Sequence, residues 1–235
     1  MHSRAEEKQV RVGEVNTSYL ECGESPTVVL IHGGGGCAEE SWSENIEYLA
    51  QEHAVYAPDL IGFGNTDKPE IEYSFEILYD FFTQFIESMN IGKASLIGHS
   101  LGGAVALRYA LGYPEKVDKL ILIDSAGFSD DLGFIGKLAA PVLKLKAAIE
   151  NNRTFLSMSR NLVKENILFV DRLHEISAPT LIVWGELDGY LPLKLAQEAC
   201  SAIKNSKLYI FKRCWHAPQR ERADEFNHLA AEFLK

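Results

Sequence analysis

The chain reads as an α/β protein built on a mostly parallel central sheet of about eight strands, with an N-terminal hairpin and flanking helices. A short helical cap is expected after the sixth strand. Short β-branched runs alternate with longer helical patterns, the rhythm of βαβ units. Several runs stop abruptly at Gly, Pro or Asp, as buried strands do at a sheet edge. The stretch between Ile123 and Thr180 breaks the rhythm: it carries helical periodicity and no strand of its own.

Val10 to Val12 and Val15 to Leu20 flank Gly13 and predict the hairpin. Thr27 to His32 predicts a buried strand that ends on four glycines, and His53 to Ala57 another, closed by Pro58 and Asp59. Ser41 to Gln51 is expected as a helix, with Trp42, Ile46 and Leu49 at helical spacing. Ser74 to Met89 is a second, its apolar face carrying Phe75, Leu78, Phe82, Phe85 and Ile86. Ala94 to Ile97, Lys119 to Ile123, Thr180 to Trp184 and Leu208 to Phe211 are the remaining strands. Leu101 to Tyr113 and Arg220 to Leu234 are helices. Phe134 to Glu150 and Arg153 to Leu173 supply the helices of the cap.

Composition narrows the function. At 235 residues the chain suits one large α/β domain, able to bury roughly 70% of its unfolded surface. Its net charge of −10, from 33 acidic and 23 basic residues, argues against nucleic acid and anionic membrane as partners. Cys22, Cys37, Cys200 and Cys214 form no zinc-like or Cys-x-x-Cys pattern, so a reducing compartment is the simpler expectation. Cys214 is expected to be a packed, inert thiol despite standing two residues before His216. With no signal-peptide core at the start and no apolar run near 18 residues, the expectation is a cytoplasmic protein.

The chemistry concentrates in a few loops. Gly98-His99-Ser100-Leu101-Gly102, followed by Gly103, lies between a strand and a helix. A serine in so tight a turn is raised above the sheet edge, and a β-carbon at either flanking glycine would collide with neighbouring backbone. Ser100 is therefore the expected nucleophile. A hydroxyl needs a base, and His216, in the loop between the final strand and helix, is the best placed of seven histidines. His99 is expected to support the turn and His32 to bond the glycine loop. His2, His53, His174 and His228 have no comparable setting. Asp188, after the strand Thr180 to Trp184, is the preferred orienting acid; Glu186 on the same loop and Asp124 at the end of the preceding strand are its rivals. The run His32-Gly33-Gly34-Gly35-Gly36 lets main chain approach a developing oxyanion, with the amides of Gly34 and Leu101 as donors. Phosphate binding is the weaker reading of that run, which lacks the Lys-Ser/Thr ending of a P-loop.

These segments, with Asp59-Leu60-Ile61-Gly62-Phe63-Gly64, Asp67-Lys68-Pro69, Gly185 to Asp188 and Trp215-His216, closely resemble the α/β-hydrolase family over nearly the whole chain. The resemblance implies a single domain over 1–235 with a cap at about 126–176. It also implies a Ser-His-Asp hydrolase needing neither metal nor organic cofactor. Relatives with an aspartate nucleophile are set aside by Ser100. Relatives that split carbon–carbon bonds or release N-terminal proline often carry a proline in the glycine loop, where this chain continues Gly36-Cys37. The favoured expectation is therefore a carboxylesterase acting on small or medium apolar esters with water, with Trp42, Phe128 and Phe134 lining an acyl pocket and Phe63 a further aromatic candidate. The alternatives are a carbon–carbon bond hydrolase acting on a vinylogous diketone and a low-turnover receptor that keeps the triad. A short lid would leave apolar surface for a homodimer to cover.

Overall fold

The computed structural model describes residues 4–129, 145, 149, 152–161 and 167–235. Its strands are β1 (Glu6–Val12), β2 (Val15–Cys22), β3 (Thr27–Ile31), β4 (Ala54–Pro58), β5 (Ala94–His99), β6 (Val117–Ile123), β7 (Thr180–Gly185) and β8 (Ser206–Phe211). They form one eight-stranded sheet in the order β1-β2-β4-β3-β5-β6-β7-β8. The β1–β2 hairpin and the β2–β4 pair are antiparallel; every other pair is parallel. The expected architecture is present.

Alternation along the central strands sorts the core into two layers. Val29, Ile31, Leu96, Leu120, Leu122, Ile182 and Trp184 face one layer; Val28, Leu30, Ile97, Ile121, Ile123, Leu181 and Val183 face the other. The first is covered by α3 (Phe75–Ser88), α4 (Leu101–Gly112) and α6 (Leu193–Ala202). Ser74 caps α3, its hydroxyl accepting from Ile77 N–H at 3.2 Å, and the predicted aromatic face is buried together with Phe81. The second layer is covered by α1 (Ala38–Trp42), α2 (Ile46–Leu49) and α8 (Ala223–Leu234).

Two expected helices are divided. In place of a helix over 41–51 there are α1 and α2, because buried Asn45 turns its amide inward to Gln219 O (2.9 Å) and Asn227 Oδ1 (2.8 Å). The final helix is split at Arg222 (φ −136°, ψ 46°) into α7 (Pro218–Glu221) and α8. Of the expected cap, the described portion includes the helix α5 (Arg153–Asn161). Most of the helix expected over 134–150 lies outside the described residues, Phe134 included. Among the described residues no helix is long and apolar enough to cross a membrane.

Candidate active site

The site stands at the carboxyl ends of the parallel strands, where loops after β3, β5, β7 and β8 meet. Between β5 and α4, Ser100 adopts φ +52°, ψ −117°, a conformation nearly closed to residues with a side chain. Its backbone is tied down: Ser100 N–H donates to Ile123 O at 2.9 Å, and Ser100 O accepts from Gly103 and Ala126 N–H, both at 3.0 Å. A β-carbon on Gly98 would strike the Gly102 backbone; one on Gly102 would strike the carbonyls of Ile31 and His32. The glycines are what the turn needs.

His216 reaches this turn from beyond β8. Its Nε2 is 3.1 Å from Ser100 Oγ, and its Nδ1 is 2.8 Å from Asp188 Oδ2. Asp188 Oδ1 accepts from the N–H groups of Tyr190 (2.8 Å) and Leu191 (3.0 Å), which leaves Oδ2 free to face the imidazole. The Asp188 side chain is wholly buried. Three segments remote in sequence thus form one proton path from hydroxyl to ring to carboxylate. The glycine loop lies against it: a β-carbon on Gly33 would crowd the Ser100 side chain, and Gly34 borders Leu101. Leu101 is the first residue of α4, so its N–H has no partner within the helix.

The chain as a whole has counterparts among known proteins. A model of the α/β-hydrolase fold matches residues 26–139. The 2-hydroxy-6-oxo-6-(2'-aminophenyl)hexa-2,4-dienoic acid hydrolase of Metapseudomonas resinovorans is 31% identical, over 97% of this chain and 90% of its own. The chain belongs to the α/β-hydrolase family. The 2-hydroxy-6-oxo-6-phenylhexa-2,4-dienoate hydrolase of Comamonas testosteroni is 29% identical, over 92% of this chain and 90% of that one. A crystallised serine hydrolase involved in carbazole degradation superposes with a TM-score of 0.84 at 30% identity, covering 98% of this chain and 99% of its own.

Within this α/β-hydrolase the rivals for the acid are placed elsewhere. Glu186 turns to the surface, bonding Lys212 Nζ (2.8 Å) and Arg213 N–H (3.0 Å), and those two donors lower its pKa. Asp124 is fully buried, its Oδ1 accepting from Gly185 N–H at 2.9 Å instead of meeting the imidazole. Cys214 is packed as expected, fully enclosed, and burial with nearby Glu221 pushes its thiol up to about 12. His32 accepts from Leu60 N–H at Nε2 (3.0 Å), so its Nδ1 carries the proton given to Gly33 O (2.8 Å). Burial holds that ring neutral.

The aromatic candidates divide. Trp42 packs in the core instead of facing substrate: it is 0% exposed among Val28, Leu30 and Ile97. Phe128 is buried against Trp184, ring centroids 6.1 Å apart. Phe63 borders an 840 Å³ cavity beside the site, together with Gly35, Gly36, Lys68, Glu72 and Arg160. That cavity touches the glycine loop rather than Ser100 itself.

Sequence reasoning missed three neighbours. Phe155 on α5 lies over Gly35, the ring Tyr190 stands 5.1 Å from the His216 ring, and Glu221 grips the His216 loop. The two Glu221 carboxylate oxygens accept from Trp215 N–H (2.9 Å) and Ala217 N–H (3.1 Å), one on each side of His216. The only sequence signal for Glu221 is an acid in the first turn after Pro218.

His99 completes the grip, its Nε2–H donating to His216 O at 2.7 Å. Burial first, then the nearby His216, draws its pKa down from 6.5 to about 3. Between those values the unfolded chain binds a proton that the folded one refuses, so stability falls as pH falls from 6.5 toward 3. Denaturant titrations at pH 7 and pH 5 should differ by about 2 kcal/mol from this group alone. Buried His32 contributes with the same sign. His99→Gln, which keeps a donor for His216 O, should remove its own share of the slope; an unchanged slope would contradict the neutral, half-buried ring.

Proposed function

We propose that this α/β-hydrolase splits the carbon–carbon bond next to the C6 ketone of a 2-hydroxy-6-oxohexa-2,4-dienoate, with Ser100 as nucleophile, His216 as base and Asp188 as orienting acid. The reading is carried by full-length similarity to two hydrolases of this substrate class, together with an assembled hydroxyl–imidazole–carboxylate path. It displaces the ester expected from the sequence. The departure at Gly36-Cys37 carries less weight than similarity spread along the whole chain.

Chemistry sets what the site must do. A carbon leaving group is poor unless its electron pair is delocalised. Moving the proton of the 2-hydroxyl to C5 gives a 2,6-dioxo form, in which a C5 carbanion is conjugated through C3–C4 with the C2 carbonyl. His216 Nε2 takes the Ser100 proton while Oγ attacks C6. The amides of Gly34 and Leu101 receive the oxyanion, each worth about a hundred- to a thousandfold. The C5–C6 bond breaks, its electrons pass into the dienolate, and His216 returns the proton to the leaving fragment. Water, deprotonated by His216, then cleaves the Ser100 ester and frees a carboxylic acid. Oxygen and hydrogen balance as one water consumed.

The test is direct. Loss of the dienoate chromophore, with equimolar carboxylic acid formed, is compared with release of p-nitrophenol from p-nitrophenyl butyrate. The proposal expects kcat/KM for the dienoate to exceed that for the ester by about a hundredfold or more, a gap of about 3 kcal/mol in transition-state stabilisation. Ester turnover without dienoate cleavage would return the function to a carboxylesterase. Tight binding of the dienoate without turnover would point to a receptor.

A further inference from the structure

Asp124 stands one residue beyond β6, fully buried, with φ +40°. That backbone conformation is unfavourable for a residue with a β-carbon, and it is held by two bonds. Asp124 N–H donates to Val183 O at 3.0 Å, and Oδ1 accepts from Gly185 N–H at 2.9 Å. Oδ2 has no donor among the described residues. A dry ionised carboxylate with an orphaned oxygen is costly, so the protein must answer for it in some other way.

The charged neighbour of that side chain is a second carboxylate, Asp188: its Oδ2 lies 2.8 Å from His216 Nδ1, and an Asp124 oxygen lies within 4.8 Å of a nitrogen of the same ring. Two ionised carboxylates in dry contact repel, whereas one proton between them turns repulsion into a hydrogen bond. The donors decide which oxygen carries it. Asp188 receives three, from Tyr190, Leu191 and His216; Asp124 receives one. Asp188 therefore keeps the charge.

We propose that Asp124 is a positioning residue, a neutral carboxylic acid whose O–H donates to the Asp188 carboxylate and fixes it on the Nδ1 side of His216. The remaining ionisable neighbours agree. Burial raises the Asp124 pKa well above the usual carboxylate range; Asp188, and more weakly Glu221 after β8, raise it further. His99 and His216 each bring a ring nitrogen within 4.8 Å of an Asp124 oxygen, and desolvation with the nearby His216 keeps His99 neutral. The bond blocks rotation of the Asp188 carboxylate and draws off part of its charge. The reacting atoms feel Asp124 only through Asp188.

The inference rests on the triad roles proposed above and not on which bond is split. It is tested without substrate, by infrared spectroscopy and by labelling of Ser100 with a fluorophosphonate. Subtracting the Asp124→Asn spectrum from that of the unaltered protein at neutral pH should leave a protonated-carboxyl C=O band. A difference holding only ionised-carboxylate bands overturns the proposal. Asp124→Asn, whose amide N–H replaces the O–H, should label within about threefold of the unaltered rate. Asp124→Leu, similar in size and without a donor, should label about ten- to a hundredfold more slowly. The acidic limb of its pH–rate profile should also move to higher pH, because an undiluted Asp188 charge holds a proton on His216 more firmly. A packing role alone would not move that limb. Equal losses in the two variants, or no loss in Asp124→Leu, overturn the donor role. If Asp124→Leu does not fold, the infrared difference and Asp124→Asn still decide. An unaltered protein that fails to label would sink the triad reading instead and leave the infrared result to stand alone.

Discussion

Ser100→Ala should lower kcat by about 10⁴-fold or more on any substrate, because no other group stands where Oγ meets His216 Nε2 at 3.1 Å. The proposed covalent route through an acyl intermediate needs that oxygen, while the amides of Gly34 and Leu101 remain in its absence. Substrate should still bind, with a Kd close to the unaltered KM. Alanine suffers the same steric conflict at φ +52° as serine does, so the thermal midpoint should barely move. Ser100→Gly separates function from strain more sharply. It should be equally inactive and yet more stable, by about 1–2 kcal/mol, because glycine alone accepts this backbone without conflict. Serine at this point therefore costs the fold something that only its chemistry explains. The measurements are single-turnover kinetics and denaturant titration of the two variants side by side. A Ser100→Ala protein retaining more than a few per cent of activity would remove Ser100 from the mechanism.

How much of this was legible in the sequence depends on the range of the interactions. The elbow was readable because its constraints are local: Gly98, Ser100 and Gly102 act within one turn, and backbone crowding there does not depend on what packs above. The strands were readable from apolar runs bounded by Gly, Pro and Asp, and the layering followed from simple alternation. Helix divisions were not. Asn45 interrupts α1 and α2 through bonds to residues some 174 and 182 positions away, which no local window contains. Trp42 was misplaced for a related reason, since helical spacing shows that a side chain is apolar but not which layer it enters. Glu221 was invisible because a surface glutamate acquires meaning only when its two oxygens meet the amides of Trp215 and Ala217. Asp188 was preferred from its loop after β7 alone; the coordinates add the side-chain directions, with Glu186 turned to Lys212 and Arg213 and Asp124 to the Gly185 N–H.

That direction leads to the second large effect. Asp188→Asn should reduce kcat by about 10⁴-fold with little change in KM. Asp188 Oδ1 is held by two backbone N–H donors, so an asparagine there must keep its carbonyl oxygen on that side. Its amide nitrogen then faces His216 Nδ1 and donates to it. An imidazole that accepts at Nδ1 carries its proton on Nε2, the atom that must receive the proton of Ser100. The base is thus present, correctly placed, and in the wrong tautomer. The imidazolium formed during attack also loses the charge that stabilises it. Glu186→Gln is the matched control: its carboxylate serves Lys212 and Arg213 at the surface, so the change should leave kcat within about twofold. Nitrogen-15 chemical shifts of the His216 ring should report the tautomer exchange in Asp188→Asn and not in Glu186→Gln. If Asp188→Asn stays active, with Nδ1 still protonated, another carboxylate orients the ring and the assignment of the acid fails.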